Sequence, residues 1–318
     1  MLQQTQVATV IDYFNNFTAH FPTLLTLAEA SEEQVLAQWA GLGYYARARN
    51  LHKSAKIIIK EHQGIFPQSL EQVLALPGIG ESTAGAILSL SFGQNHAILD
   101  GNVKRVLARY HQVNGHYQQG QTLKTLWQLA RWHTPDKQSA YYTQAIMDLG
   151  ATICTRSKPK CEHCPVQNGC LSYQDQTQEQ YPNPKPKKHK PTRDVAVLIF
   201  SKHGQVLLQK RPDSGIWGGL WSLPECNNTP QAIAKAVTTF DPLAKVIKTL
   251  AVLSHSFTHY HLNIHPILIS AKKTDAHYYV PEQQVLGVPA PIKKILQQAA
   301  QELSLAHLGR EAPALSVK

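Results

Sequence analysis

Between Gln174 and Arg193 the chain changes character, and this change constrains the fold more than any other feature. Pro182, Pro184, Pro186 and Pro191 alternate with Lys185, Lys187, Lys188 and Lys190 while apolar residues nearly vanish, the composition of an extended, solvated linker. On its N-terminal side apolar residues recur with the helical period. Leu51, Ala55, Ile58 and Ile59 share one face; Val103, Val106, Leu107 and Tyr110 repeat it after Asp100; Ala140, Thr143, Ile146, Met147 and Leu149 repeat it again. Pro22, Pro67, Pro77 and Pro135 punctuate the series. On the C-terminal side the period shifts towards two. Val195–Phe200, Gln205–Arg211 and Phe257–Ile269 read as strands, Gln231–Val237 and Pro291–Leu303 as helices. The expectation is two domains: an all-α domain over 1–173 and an α+β domain over 194–305. The linker 174–193 joins them, and a flexible tail, 306–318, follows.

A length of 318 residues suits two domains, and 43% hydrophobic residues exclude a largely disordered chain. No apolar run approaches the roughly 18–20 residues needed to cross a bilayer. The start, Met1-Leu2-Gln3-Gln4-Thr5-Gln6, has neither the basic residues nor the apolar stretch of a signal peptide, so a cytoplasmic chain is expected, with no membrane partner. The balance of 31 Lys+Arg against 21 Asp+Glu gives a formal charge of +10 and invites a polyanion, nucleic acid first.

Four of the five cysteines, Cys154, Cys161, Cys164 and Cys170, form a C-x6-C-x2-C-x5-C cluster, and Cys226 stands apart. In a cytosolic chain such a cluster reads as metal ligands rather than disulfides, for tetrahedral zinc or an iron–sulfur cubane. Zinc ribbons pair two C-x2-C knuckles, whereas here only one short spacing occurs. Arg156, Lys158 and Lys160 in the first loop are placed to touch phosphate.

Leu76-Pro77-Gly78-Ile79-Gly80 lies between two amphipathic stretches. Its glycines permit a tight turn that leaves the N–H groups of the next helix facing a phosphate, as an ordinary interhelical turn also would. Asp100 precedes a helix, so its carboxylate is expected to cap N–H groups and stay ionised at the positive end of the macrodipole. A fixed anion there stabilises an oxocarbenium-like sugar more than the neutral nucleoside, although an N-cap alone is the commoner fate of such a residue. Lys104, one turn on, reads as a phosphate ligand or as a partner of Asp100.

These motifs together resemble the endonuclease III superfamily of DNA glycosylases. The resemblance implies that the cysteines bind a 4Fe–4S cluster, that Leu76–Gly80 is a helix–hairpin–helix gripping the DNA backbone, and that Asp100 is the essential aspartate. Members that also nick the strand carry a lysine two residues after the second hairpin glycine. Here that residue is Ser82, whose hydroxyl forms no imine, which implies an enzyme that stops at base removal.

Met1–Gln6 and Gly41-Leu42-Gly43-Tyr44-Tyr45-Ala46-Arg47-Ala48-Arg49-Asn50 narrow the resemblance to the adenine DNA glycosylases of the MutY family, over essentially the whole chain. It implies base excision repair of adenine mispaired with 8-oxoguanine or guanine in double-stranded DNA, carried out by a monomer. Gln4 and Tyr44 would wedge into the base stack, Thr5 would touch the oxidised base, and Gln144 would line the adenine pocket. Ser214–Trp221 and Phe257-Thr258-His259 resemble the family's Nudix-like 8-oxoguanine-recognition domain. His259, His261, Asn263 and His265 read as one strand face, either metal-binding or a plain polar surface. Past Gly219 the segment to Val237 offers Glu225 as its one acid, too few for Nudix hydrolase chemistry.

The family's general acid is a glutamate two residues ahead of the methionine that is Met1 here, so the resemblance leaves this acid outside the sequence. The expected activity is therefore monofunctional adenine excision by a shortened chain. A non-catalytic lesion-binding protein and an endonuclease III-like glycosylase/lyase are the alternatives.

Overall fold

A computed structural model describes residues 1–318 apart from 3, 4, 6, 118, 185–188, 204, 214, 273–277, 280–285 and 309–318; for 278, 279 and 304–308 the backbone alone is described. The chain packs into two compact units that do not follow chain order: Met1–Lys56 with His189–Lys318, and Ile57–Lys188. The division falls inside a helix.

The helices of the N-terminal half are α1 (Val7–His20), α2 (Leu24–Glu29), α3 (Glu32–Trp39), α4 (Ala46–Glu61), α5 (Leu70–Ala75), α6 (Glu81–Phe92), α7 (Gly101–Tyr110), α8 (Gly120–His133), α9 (Ser139–Asp148) and α10 (Leu171–Gln174). A π-helical turn, Leu149–Ile153, extends α9 into the first cysteine. Local chemistry sets several boundaries. Thr23 and Ser31 close capping boxes at α2 and α3, and Gly93 ends α6 in the left-handed region with φ 66°.

Within Ile57–Lys188, Val73, Ala84 and Leu88 join α5 to α6. Leu99, Val103, Val106, Leu107, Leu126 and Ile146 join α7, α8 and α9. Between α6 and α9 the contact is polar but satisfied: buried Ser89 and Thr143 share a hydrogen bond of 3.1 Å, and Ser139 donates to the Gln94 carbonyl at 3.0 Å.

The other unit holds α1–α3, the start of α4, and a mixed sheet. Its strands are β1 (Thr192–Lys202), β2 (Gln205–Leu207), β3 (Gln209–Lys210), β4 (Trp221–Ser222), β5 (Glu225–Asn227), β6 (Lys245–Thr249), β7 (Leu253–Ser256), β8 (His261–Ser270) and β9 (Tyr278–Tyr279); its helices are α11 (Pro230–Phe240) and α12 (Ala290–Leu308). The main sheet runs β6-β8-β1-β2-β9, with β5 also on β1 and β7 on β8. β1 and β8 are parallel, from Thr192 opposite His261 to Ser201 opposite Ser270. Ala196, Leu198 and Phe200 pack with α11, while Val197 and Ile199 pack with Ile292, Ile295 and Ala299 of α12. Covered on both faces, β1 is apolar continuously rather than alternately.

Three sequence expectations meet a different structure. Residues 178–183, within the presumed linker, are fastened to the helical unit: Arg109 donates to the carbonyls of Gln178 (2.9 Å) and Tyr181 (3.0 Å), and Asn183 accepts from the Gly115 N–H. Composition hid this because the fastening uses mainly backbone carbonyls, which every residue carries, with the Asn183 side-chain oxygen beside them. Phe257–Tyr260 is a turn between β7 and β8 rather than the start of a strand, closed by Phe257 N–H donating to the Tyr260 carbonyl at 2.9 Å. α12 runs on to Leu308, so the residues expected to open a tail are helical; the rest of that tail lies outside the described residues.

His111 and His133 end α7 and α8 with their Nε2 atoms 2.7 Å apart. Burial lowers both pKa values, and each cation would repel the other, lowering His111 further. In the unfolded chain the same imidazoles take protons near pH 6.5. Protons are therefore bound more readily by the unfolded state. Folding stability is expected to fall as pH drops through about 6.5 and to level off below the folded pKa values. Thermal melting between about pH 5 and pH 7.5 should show this slope, and His111→Asn should flatten it.

Candidate active site and metal centre

Asp100 is the N-cap of α7, its Oδ1 accepting from Val103 N–H at 2.8 Å. Neighbouring elements fix the backbone on either side. The Ser82 hydroxyl, on the first turn of α6, accepts from Leu99 N–H at 2.9 Å. Gly85 lets α6 approach residue 97 so closely that a Cβ would lie 2.5 Å from the Ala97 carbonyl oxygen. Gly150 allows the π-helical turn against Asn102, whose Cβ would be 2.6 Å away. The carboxylate is half-buried, held by its cap bond and by the backbone around it.

The hairpin beside it forms as its glycines require. Gly78 has φ 76°, and Ile79 N–H closes the turn on the Leu76 carbonyl at 3.2 Å. Gly80 is the N-cap of α6 with no side-chain cap, and a Cβ there would meet nothing of the chain within 4 Å. The α6 N–H groups thus start from an exposed glycine turn, the arrangement that accepts an anion. Lys104 places its Nζ over the Tyr117 ring, 5.5 Å from the centroid. Gln144 is exposed on α9, its amide donating to Asp148 Oδ1 at 2.9 Å.

Cys154, Cys161, Cys164 and Cys170 line a single cavity with Val106, Arg109 and Tyr110, and none is in a disulfide. Burial and the neighbouring cysteines push the Cys161 thiol up, and burial pushes up that of Cys170. Four thiolates could not share this space without cations, which an iron–sulfur cluster supplies, and the donor set fits one. Arg109, almost fully buried, gathers the cavity wall: Nη1 lies 3.4 Å from Cys154 Sγ and donates to the Thr155 carbonyl at 2.7 Å, and Nη2 donates to that of Arg156 at 3.1 Å. Arg105 donates to the carbonyls of Cys154 (2.7 Å) and Gly150 (2.6 Å) and to Asn102 Oδ1 (3.0 Å). Arg156, Lys158 and Lys160 are exposed on the first cysteine loop.

In the other unit Tyr44 holds a strained position. Its φ is 51°, unusual for an aromatic residue, and it is 55% exposed. Arg47, a residue sequence reasoning passed over, organises the surroundings. Its guanidinium donates to Thr5 Oγ1 at 3.1 Å and to the carbonyls of Gly43 (3.2 Å) and Met1 (2.5 Å), and it lies over the rings of Tyr44 and Trp39. Thr5 and Tyr44 are therefore brought together, while Gln4 lies outside the described residues.

Thr258 and His259 are exposed at the tip of the β7–β8 turn, and Phe257 is half-buried beneath them against Trp217 (5.4 Å) and Tyr260 (4.9 Å). Trp217 itself has φ 56° in the Gly215–Trp221 loop, where the Arg211–Glu225 ion pair and Arg211 Nε donating to the Ile216 carbonyl at 3.1 Å hold the base. His259 does not share the strand face. His261, Asn263 and His265 do, and each is bonded: to Ser256 (2.8 Å), to Ser254 (2.8 Å) and to Asp194 (2.8 Å). Among the described residues no group of three His, Cys, Asp or Glu side chains has a metal-holding arrangement, so this face is a hydrogen-bonded polar row.

Arg109 lies outside the Val103, Val106, Leu107 and Tyr110 stripe of α7, so periodicity gave its burial no signal. The roles of Arg47 and Ser82 had none either, because both act mainly on main-chain groups.

Three family models match this chain: the HhH-GPD superfamily of base excision DNA repair proteins over 1–131, the iron–sulfur binding domain of endonuclease III over 154–170, and the NUDIX domain over 195–298. The molecule is thus a base excision repair glycosylase with a 4Fe–4S cluster and an appended Nudix-like domain. It is 37% identical over 306 residues to the adenine DNA glycosylase of Buchnera aphidicola subsp. Schizaphis graminum, covering 93% of this chain and 88% of that protein. Identity to the human adenine DNA glycosylase is 34% over 313 residues, 81% of this chain and 57% of that protein. The chain belongs to the adenine DNA glycosylase family. Among its described residues no helix is long and apolar enough to cross a membrane.

Arg109→Gln is expected to lower the iron and sulfide retained per chain and to expose the segment around 154–183 to proteolysis. Iron assay and limited digestion of the purified protein check both.

Proposed function

We propose that this chain removes adenine paired with 8-oxoguanine by hydrolysing its N-glycosidic bond, without a covalent lyase step. The observation that carries the reading is the carboxylate of Asp100, fixed by the Val103 N–H and by the Ser82–Leu99 bond behind it. As the bond to adenine lengthens, the sugar acquires positive charge. A carboxylate already oriented stabilises that charge without reorganising, more strongly in the transition state than in the ground state. Water then adds to the sugar and gives up a proton. The departing adenine takes one up in its place, from solvent or from the acid that the family carries ahead of Met1, and an abasic site remains.

Ser82 supports the monofunctional part. Its hydroxyl is no imine-forming amine, and it is already engaged as an acceptor. The hairpin at Gly78 and Gly80, Lys104 and the basic cysteine loop would hold phosphates on either side of the extruded nucleotide, positioning rather than specifying. The 4Fe–4S cluster, bound by the four cysteines, would act structurally by fixing that loop. Gln144 would contribute hydrogen bonds to the flipped adenine once its bond to Asp148 opens.

The lesion strand would be read by the other unit. Tyr44 is exposed and held at positive φ, the combination of a side chain kept out of the core to be inserted elsewhere. Thr5, held by Arg47, presents a hydroxyl beside it. Thr258 and His259 offer polar groups at a turn tip, and Phe257 anchors that turn. The domain limits expected from sequence, 1–173 and 194–305, remain the division we propose, with Thr5 and Tyr44 reading the lesion from the first domain and the Phe257–His259 turn from the second.

Asp100→Asn keeps an oxygen to cap Val103 and removes the charge. Single-turnover release of adenine opposite 8-oxoguanine is expected to fall by about 10²–10³-fold with thermal stability little changed. Unimpaired release would refute the assignment. Borohydride added during turnover should trap no covalent adduct.

A further inference from the structure

The Gly-Gly pair of the Gly215–Trp221 loop is packed against the helices that lead into and out of Tyr44. Gly218 and Gly219 are both buried. A Cβ on Gly219 would lie 3.2 Å from both Glu32 Oε1 and Leu36 Cδ1 of α3, and 3.8 Å from Arg49 Nη1 of α4. Arg49 Nη1 donates to the Gly218 carbonyl at 2.5 Å, and Trp221 Nε1 donates to Glu33 Oε1 at 2.6 Å. Gly287, whose carbonyl accepts from Trp221 N–H at 2.9 Å, comes within 3.4 Å of the Leu36 backbone when a Cβ is placed on it. Hydrogen bonds to a charged guanidinium and a carboxylate, on a loop with two glycines flattened for contact, make a fitted joint.

The joint lies on a continuous path. Tyr44 and Tyr45 lead straight into α4: their carbonyls accept from Arg47 N–H (2.9 Å) and Arg49 N–H (3.1 Å). From Gly218 the chain steps back one residue to Trp217, whose ring lies 5.9 Å from that of His255 and 5.4 Å from that of Phe257. Phe257 opens the turn that carries Thr258 and His259. Two arginines two residues apart thus serve the two groups that would meet the lesion strand, Arg47 gripping Thr5 and Tyr44, Arg49 gripping the loop beneath Phe257.

We propose that Arg49 is a positioning residue for lesion recognition: through the Gly218 carbonyl it sets the Phe257–His259 turn in register with Tyr44, so that both address one modified base. This rests on the 8-oxoguanine reading above. Arg49 touches no DNA in it; the effect is relayed by Trp217 and Phe257.

The test measures the affinity of the full chain for duplexes carrying a non-excisable 2′-fluoro-adenosine opposite 8-oxoguanine or opposite guanine. The ratio of the two affinities is the readout, which needs no turnover. Arg49→Met is expected to reduce the ratio about tenfold, the size of one charge-assisted hydrogen bond, chiefly by weakening the 8-oxoguanine duplex. Phe257→Ala should reduce it as well, and the double variant should lose little more than either alone. Arg49→Lys, which retains a donor, should recover part of the preference; a purely structural role would move melting temperature and both duplexes alike. Trp221→Phe deletes one donor of the same joint and serves if Arg49→Met does not fold. A preference unchanged in these folded variants but lost in Phe257→Ala overturns the positioning role and leaves the lesion reading intact. A wild-type chain with no preference overturns both.

Discussion

One hydrogen bond, from Leu99 N–H to the Ser82 hydroxyl, governs how the helical unit Ile57–Lys188 is organised around Asp100. It ties the residue before Asp100 to the first turn of α6, the helix that the glycine hairpin opens. Gly85 against Ala97 and Gly150 against Asn102 then bring backbone to backbone, where any side chain would force the elements apart. Asp100 inherits its position from these contacts. Its own cap bond to Val103 aligns the carboxylate but would not locate it. A hydroxyl at residue 82 therefore has a positive duty, besides its inability to form an imine.

Arginine supplies the second layer of order. A formal charge of +10 suggests a protein coated for polyanions, yet several of its guanidiniums face inward. Arg47, Arg49, Arg105 and Arg109 bind main-chain carbonyls of segments distant in sequence: residue 1, residue 218, residues 150 and 154, and residues 155, 156, 178 and 181. Each gathers loops that have little apolar surface of their own. The planar fork suits that task, since several carbonyls can be met at fixed angles without lysine's mobility. Net charge thus overstates the charge carried on the surface, where Arg156, Lys158 and Lys160 are among the exposed cations.

The sequence spoke clearly wherever side-chain type carries the message. Helical periodicity located α4, α7 and α9, runs rich in β-branched and aromatic residues located β1 and β8, and cysteine spacing located the metal centre, because burial and ligation select particular residues. Asp100 was legible as a cap. Legibility failed where the message lies in the backbone. Residues 178–183 resemble linker in composition but are held by their carbonyls, and Phe257–Tyr260 has strand-like residues yet turns because β7 must reverse into β8. The Gly218–Gly219 pair resembled part of a lesion-reading motif, and nothing in its letters indicated that α3 and α4 lie against it. Pairings across long separations, such as Arg49 with Gly218 or Glu33 with Trp221, leave no local trace.

The π-helical turn at Leu149–Ile153 acts as a phase shifter between α9 and the cluster ligands. Its wider winding admits Asn102 beside Gly150 and leaves the Gly150 and Cys154 carbonyls for Arg105. Removing a single residue there would restore ordinary α winding and swing Cys154 by about 100° around the helix axis. The first thiolate would then face away from the other three. The spacing between α9 and Cys154 is accordingly as strict a requirement for holding iron as the spacings among the cysteines themselves.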